Sequence, residues 1–193
     1  MCLVWLAPLP AAARTLLVLG DSLSAAYGMD MPSGWVALLQ KRLAQEKLDY
    51  QIANASISGD TTGNGLARLP RLLDEHKPAV VIIELGGNDG LRGLSLAQLK
   101  HNITAMVTEA KGRNARVLLV GVRLPPNYGK TYSGKFRRVY QEVAAEQQVA
   151  LVPFILDGVA TNRALMQSDG IHANAKGQGR ILENVWPHLR PLL

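Results

Sequence analysis

Four short blocks of the sequence hold polar or ionisable side chains next to small residues. Ser22 lies in the run GDSLS, and Gly59 lies in the run NASISGDTTG. Asn88 follows two glycines in GGNDG, and Asp169 precedes His172 by three positions in SDGIH. Taken alone, each block is also typical of a turn, a loop or a helix cap, because Gly, Ser, Asn and Asp favour such positions.

Taken together, these residue types supply the parts needed for nucleophilic catalysis. A carboxylate three residues before a histidine can accept its Nδ1–H, which leaves Nε2 of His172 free as a base for Ser22. The glycine-bearing loops can bring backbone N–H groups close to a ligand, and the amide of Asn88 can donate to an anionic oxygen. We therefore predict a serine nucleophile with an oxyanion-stabilising site beside it.

Other kinds of site are not supported by the sequence. The glycines near Asn88 lack the Gly-Lys-Ser/Thr ending of a Walker loop and the G-x-G-x-x-G spacing of a dinucleotide fingerprint. His76, His101 and His188 stand apart from other candidate metal ligands. Since a zinc site needs several converging ligands, we expect neither a metal nor a cofactor.

A parallel β-sheet would bring the four blocks to one edge. We predict five apolar strands separated by helical segments, at 15–20, 50–53, 79–85, 116–120 and 149–152. Strands that are apolar throughout and alternate with helices favour a parallel sheet covered on both faces. Ligand sites in such sheets lie beyond the carboxyl ends of the strands, so we expect the chemistry just after residues 20, 54, 85, 122 and 152.

Helical periodicity predicts the segments that cover the sheet. They are 34–46, 66–73, a helix that begins after Ser95, 134–147 and 174–189. Ser33 is the predicted N-cap of the first helix. Pro70 must bend the second helix or mark its true start. Ser95 and Gln98 form a predicted capping box at the start of the third.

Length, composition and charge narrow the class of protein. The 193 residues fit one domain, and 48% hydrophobic with 19% charged residues favour a folded core over disorder. No apolar run reaches the roughly 18 residues of a membrane span, so we expect no stable membrane insertion. The net charge of +6 is scattered and aromatic residues make up 5%, which argues against a nucleic-acid partner.

The N-terminal run MCLVWLAPLPAAA, residues 1–13, is uncharged and mostly apolar and ends in three alanines. This pattern predicts a secretory signal peptide that is removed, although the run is short and lacks a basic start. The single domain would then span 14–193 and contain no cysteine, because Cys2 is the only one. The alternative is an apolar N-terminal arm of the folded domain.

The four blocks, in this order, resemble the signature of the GDSL or SGNH hydrolases, a family named for a Ser, a Gly, an Asn and a His. The resemblance runs over nearly the whole predicted domain and includes the stretches NASISGDTTGNGLARLP, ELGGNDGLRGL and RLPPNYG. It implies a flavodoxin-like α/β/α sandwich with a five-stranded parallel sheet. One departure is Ala173, which stands where the family usually has proline.

The resemblance also implies roles for individual residues. Ser22, Asp169 and His172 would form the catalytic triad, and Ser22, Gly59 and Asn88 would form the oxyanion hole. The chain is similar to bacterial members that are exported to the periplasm and act as acyl-CoA thioesterases, lysophospholipases and arylesterases. We therefore expect a periplasmic monomer that hydrolyses a small-molecule acyl ester or thioester.

Two loops are candidates for contact with the acyl chain of such a substrate. The loop 90–94 follows Asn88 directly and carries Leu91 and Leu94 between glycines, and a second loop, 123–128, follows the fourth strand and carries Pro125 and Tyr128. By resemblance, the first loop responds to substrate in the thioesterases. The alternative for the two leucines is packing at the base of the following helix.

Two other functions stay open at this point. A short-chain arylesterase or a carbohydrate deacetylase of the same superfamily would use the same catalytic residues on a different substrate. A non-catalytic domain would instead bind a phosphate or a flavin at the same edge of the sheet. Asp21 in the first loop argues against the latter because its charge would repel a phosphate.

Overall fold

Five parallel strands form the centre of the molecule. The computed structural model describes residues 13–193, and its strands are β1 (Arg14–Gly20), β2 (Tyr50–Asn54), β3 (Val80–Glu84), β4 (Arg116–Val120) and β5 (Ala150–Val152). Their order across the sheet is β2-β1-β3-β4-β5, and every neighbouring pair is parallel. The predicted α/β fold with a five-stranded parallel sheet is confirmed.

Helices cover both faces of this sheet. On one face lie α1 (Trp35–Gln45) and α6 (Gln178–Leu189), and on the other lie α2 (Thr62–His76), α4 (Leu96–Gly112) and α5 (Lys130–Gln147). A short helix, α3 (Gly87–Leu91), follows β3 directly. Because successive strand residues point to opposite faces, a strand covered on both sides is apolar through its middle, as residues 16–19 of β1 and 80–83 of β3 are.

The first two large helices begin differently from the prediction. Ser33 belongs to a 3-10 turn, and α1 begins two residues later, where the side chain of Gln178 accepts the backbone N–H of Trp35 at 3.0 Å. A residue distant in sequence therefore replaces the predicted serine cap. The second helix begins at Thr62, with Thr61 as its N-cap, so Pro70 lies inside the helix and does not mark its start.

The remaining helices agree with the prediction in place but not in every boundary. Ser95 caps α4 as expected, but the side chain of Gln98 donates to Asn102 Oδ1 at 2.7 Å and does not return to complete the capping box. Helix α5 starts at Lys130, before the predicted 134. The predicted helix 174–189 starts with a separate 3-10 turn, and α6 proper begins at Gln178.

The predictions about a signal peptide, a membrane span and a metal site concern features other than the sheet and its helices. Residues 1–12 of the predicted signal peptide lie outside the described residues, so that assignment stays a prediction. Within residues 13–193, no helix is long and apolar enough to cross a membrane. The same part of the chain contains no group of three His, Cys, Asp or Glu side chains arranged to hold a metal ion.

Two adjacent carboxyl groups are buried where β1 and β3 end. Glu84 pairs with Gly20 on the neighbouring strand, and Asp21 is the residue after Gly20. Their exposed fractions are 0% for Glu84 and 2% for Asp21. Glu84 Oε2 accepts the Ser24 hydroxyl at 2.8 Å and the backbone N–H of Asp21 at 3.4 Å. Within the described part of the chain, Glu84 Oε1 has no hydrogen-bond partner.

Burial dominates the ionisation of this pair. It raises the pKa of Asp21 to about 6, although hydrogen bonds from the Leu23 N–H and the Asn88 amide act in the opposite direction. Burial, followed by the charge of Asp21, raises the pKa of Glu84 well above its ordinary value of 4.5. Two adjacent negative charges repel each other, so a neutral Glu84 beside Asp21 is the favoured state.

Replacing Glu84 with glutamine should flatten the dependence of stability on pH. The native pKa of Glu84 is raised, so the native state holds the proton more tightly than the unfolded chain does. Its contribution to the free energy of unfolding therefore falls as the pH rises above about 4.5. Glutamine has nearly the same shape and stays neutral, so Glu84→Gln should lose less stability toward alkaline pH than the wild type.

The measurement is urea unfolding at acidic, neutral and mildly alkaline pH. Glu75→Gln is the matched control, because Glu75 lies on the surface of α2 with about half of its side chain exposed. This control should keep the pH dependence of the wild type. Parallel stability profiles for the wild type and Glu84→Gln would contradict the assignment of a raised pKa to Glu84.

Candidate active site

Ser22, His172 and Asp169 form a continuous line of hydrogen bonds. The hydroxyl of Ser22 lies 2.8 Å from His172 Nε2, and His172 Nδ1 lies 2.6 Å from Asp169 Oδ2. Ser22 follows β1, whereas the other two residues share one loop before α6. The structure thus brings together the three residues that the sequence singled out, in the order nucleophile, base and carboxylate.

Asp169 is partly exposed, and its hydrogen bonds hold it as an anion. Burial alone would raise its pKa, but hydrogen bonds from the His172 imidazole and from the backbone N–H groups of His172 and Ile171 outweigh this and lower it to about 2. The two backbone bonds go to Oδ1 at 3.0 and 2.9 Å, while Oδ2 faces the imidazole. The carboxylate is therefore fixed in orientation and charged at neutral pH.

Tyr27 packs against the imidazole of His172. The two ring centroids are 4.6 Å apart, with a tilt of 41° between the planes. The side chain of Gln167 links the two loops by donating to the backbone carbonyls of Tyr27 at 2.8 Å and Ala173 at 3.1 Å. Sequence reasoning missed both residues, and the four positions between Ser22 and Tyr27 gave no signal for this contact.

Two backbone N–H groups at the site are available to a ligand. Gly59 has a φ of +86°, a conformation that favours glycine, and its carbonyl accepts a hydrogen bond from Arg92 Nη2 at 3.0 Å. Among the hydrogen bonds of residues 13–193, none is donated by the backbone N–H of Gly59 or of Ser22. Both N–H groups therefore lack an acceptor within this part of the chain, and both residues line the cavity in front of Ser22.

The Asn88 amide, in contrast, already has partners. Its Nδ2 donates to the carbonyl of Asp60 at 2.9 Å and to Asp21 Oδ2 at 3.2 Å. To bind a ligand oxygen, the amide must exchange one of these bonds, and the longer one to Asp21 is the weaker. Asn88 reaches this place because Gly86 turns the chain with a φ of +114°, where a Cβ would overlap the hydroxyl of Tyr140.

A buried network ties the Gly59 loop to the Asn88 helix. Asp89 accepts the backbone N–H of Thr62 at 2.8 Å and also its hydroxyl, and Asn102 donates to that hydroxyl at 3.0 Å. Arg68 donates to Asp60 Oδ2 at 2.9 Å on the other side of the loop. These bonds fix the relative positions of the candidate oxyanion donors, and the sequence analysis did not identify them.

A cavity of about 450 Å³ opens in front of Ser22. Most of its wall is apolar, which is typical of small-molecule sites. The predicted residues Leu91 and Pro125 line it. Leu124 and Pro126, from the predicted second loop, line it too. Apolar wall residues that were not predicted to contact substrate are Leu23, Val122, Phe154, Leu156, Ala160, Met166 and Ile171.

Leu94 and Tyr128, which were also predicted to bind substrate, do not belong to this wall. Leu94 is 44% exposed on the surface. Tyr128 packs partly against the core, and its hydroxyl donates to the backbone carbonyl of Leu91 at 2.8 Å. Tyr128 thus supports the loop that carries Leu91 and is itself outside the cavity.

Comparisons with known proteins agree with this geometry. Residues 18–180 match the GDSL-like lipase/acylhydrolase family. The chain is 61% identical to esterase TesA of Pseudomonas aeruginosa, covering 95% of this chain and 91% of that protein. It is 45% identical to thioesterase 1/protease 1/lysophospholipase L1 of Escherichia coli, covering 95% of this chain and 86% of that protein.

The likeness extends to solved structures. A crystal structure of TesA, 60% identical in sequence, superposes with a TM-score of 0.92 and covers 93% of this chain and 100% of that one. The family match spans most of the described residues, and both relatives are matched over most of their length. The chain therefore belongs to the GDSL-like lipase/acylhydrolase family.

Proposed function

We propose that the protein is a serine hydrolase that cleaves fatty acyl esters and thioesters through an acyl-enzyme intermediate. The observation that carries this proposal is the hydrogen-bonded line from Ser22 through His172 to Asp169 at the mouth of an apolar cavity. The names of its relatives, an esterase and a thioesterase/lysophospholipase, support the same class of reaction.

The first step is attack by the serine on the acyl carbonyl carbon. His172 Nε2 takes the proton of the Ser22 hydroxyl as the new C–O bond forms, and the imidazole becomes positively charged. Asp169 stabilises that charge through Nδ1, because its low pKa keeps it anionic. The bond from Nδ1 to Asp169 also selects the tautomer in which Nε2 is free to accept a proton.

The negative charge that develops on the carbonyl oxygen needs donors already in place. We assign these donors to the backbone N–H groups of Ser22 and Gly59 and to the amide of Asn88. His172 then gives its proton to the leaving alcohol or thiol, and the acyl group stays on Ser22. A water molecule, activated by His172 in the same way, attacks the acyl-enzyme and releases the carboxylic acid.

The apolar wall favours an alkyl or aryl acyl group over a sugar. Carbohydrate sites need many polar partners, whereas this cavity combines a polar catalytic end with aliphatic and aromatic side chains. A short-chain arylesterase remains the second candidate, since an aryl ester would fit the same apolar surface. A non-catalytic binding domain would give no reason for a serine, a histidine and a carboxylate to lie at these distances.

Ser22→Ala should abolish hydrolysis, because no oxygen nucleophile remains for His172 to activate. The test is a graded series of p-nitrophenyl esters and acyl-CoAs, from acetyl to palmitoyl, with the wild type and Ser22→Ala. Serine-dependent turnover that favours longer chains supports the proposal. Turnover restricted to acetyl esters would move the substrate to the arylesterase or deacetylase class. Equal activity of the two proteins would overturn the catalytic assignment.

Asn88→Ala should lower kcat by about 10²–10³, the usual loss for one oxyanion donor, with KM nearly unchanged. The reason is that the amide would bind the oxyanion more strongly than the ground-state carbonyl. Steady-state kinetics on one p-nitrophenyl ester separates the two parameters, and thermal unfolding verifies that the variant is folded. A raised KM with an intact kcat would instead place Asn88 in substrate binding.

Leu91→Asp should lower kcat/KM for long-chain substrates more than for short-chain ones, because a charge on the cavity wall would lie against the alkyl chain. Leu94→Asp is the matched control: it lies three residues away and is 44% exposed outside the cavity. The measured quantity is the ratio of kcat/KM for a long and a short p-nitrophenyl ester. Equal losses on both esters in Leu91→Asp would mean that Leu91 only packs against the helix that follows.

A further inference from the structure

The cavity wall carries one arginine that the proposed mechanism does not use. Arg123 follows β4 and lines the cavity together with Phe154, which follows β5. Its guanidinium carbon lies 4.5 Å from the centre of the Phe154 ring. A cation stacked in this way is held by the ring face, while its N–H donors at the edge stay available to a planar anion.

The charge of Arg123 is not matched by a nearby carboxylate. Among residues 13–193, no ion pair or side-chain hydrogen bond involves Arg123. Asp21 is the only carboxylate on the cavity wall, and its oxygens bond the Leu23 N–H and the Asn88 amide. Arg92, in the loop after Asn88, differs because it donates to the carbonyl of Gly59.

We propose that Arg123 binds a phosphate or carboxylate group carried by the substrate, and that the enzyme thereby prefers anionic acyl esters to neutral ones. This inference rests on the proposed hydrolase function and specifies its substrate class. A guanidinium binds either anion through paired N–H donors. The anion can come from two sources, a phosphate on the leaving group, as in a lysophospholipid, or a carboxylate at the far end of the acyl chain.

The position of Arg123 limits where the anion can lie. It shares the cavity wall with the apolar side chains that follow β4 and β5, and it is exposed to solvent at their edge. A lysophospholipid has only a glycerol unit between its ester and its phosphate, so both groups fit one cavity. In an acyl-CoA the pantetheine arm separates the thioester from the phosphates, and Arg123 should matter less.

The experiment compares pairs of substrates in which only one member carries an anionic group. The first pair is 1-octanoyl lysophosphatidylglycerol and 1-octanoylglycerol. The second is the p-nitrophenyl monoester of a long dicarboxylic acid and the p-nitrophenyl ester of the matching monocarboxylic acid. All are used below the concentrations at which they form micelles, and the readout is the ratio of kcat/KM within each pair.

The wild type should favour the anionic member of at least one pair, and Arg123→Gln should lower that ratio by about three- to tenfold. A change of this size in the ratio is typical of a charge-assisted contact that is screened by water at an exposed site. Arg123→Lys should recover part of the ratio because it keeps the charge, and added salt should weaken the preference. Arg71→Gln, which removes an exposed charge from α2, should leave every ratio unchanged.

Each outcome separates this inference from the proposed function. A loss confined to the lysophospholipid pair places the anion on the leaving group, and a loss confined to the dicarboxylic pair places it on the acyl chain. Unchanged ratios in Arg123→Gln would overturn the inference, while serine-dependent hydrolysis of the neutral esters would still support the hydrolase. If Ser22→Ala hydrolysed the neutral esters as fast as the wild type, the proposed function would fail first.

Discussion

The contact between the Ser22 hydroxyl and His172 Nε2, at 2.8 Å, depends on almost every part of the fold. One partner follows the first strand, and the other follows the last strand and lies just before the last helix. Contacts with other parts of the fold hold both loops in place. Strand β1 fixes the serine through its pairing with β2 and β3, while Gln167 ties the histidine loop to the loop of Tyr27.

Three carboxyl groups near this contact differ in charge because their surroundings differ. Asp169 is partly exposed and accepts three hydrogen bonds from the histidine loop, so its pKa falls to about 2. Asp21 and Glu84 are buried, and desolvation raises the pKa of each. The anion that hydrogen-bonds the imidazole is therefore the exposed one, whereas burial beside Asp21 favours the neutral form of Glu84.

The strands and the Asp169–His172 pair could be predicted from sequence because both depend on local patterns, whereas the pairing of Ser22 with His172 was predicted from their places after strands and from the family resemblance. Apolar runs predicted the strands, and the spacing of Asp169 and His172 suggested their hydrogen bond. What could not be predicted depends on contacts between distant residues. Gln178 caps α1 from across the chain, Tyr27 packs on His172, and part of the cavity wall comes from residues 154–166, which carry no motif. Leu94 and Tyr128 lie outside the cavity wall, because sequence proximity to Asn88 or Pro125 does not determine which side chain faces the cavity.

The order of the strands also explains why the cavity has two different ends. The loops after β2, β1 and β3 are neighbours and carry the glycine, the serine and the asparagine, so hydrogen-bond donors collect on one side. The loops after β4 and β5 lie on the other side and supply most of the apolar wall. The strand order therefore places the hydrogen-bond donors and most of the apolar wall at different ends of one cavity.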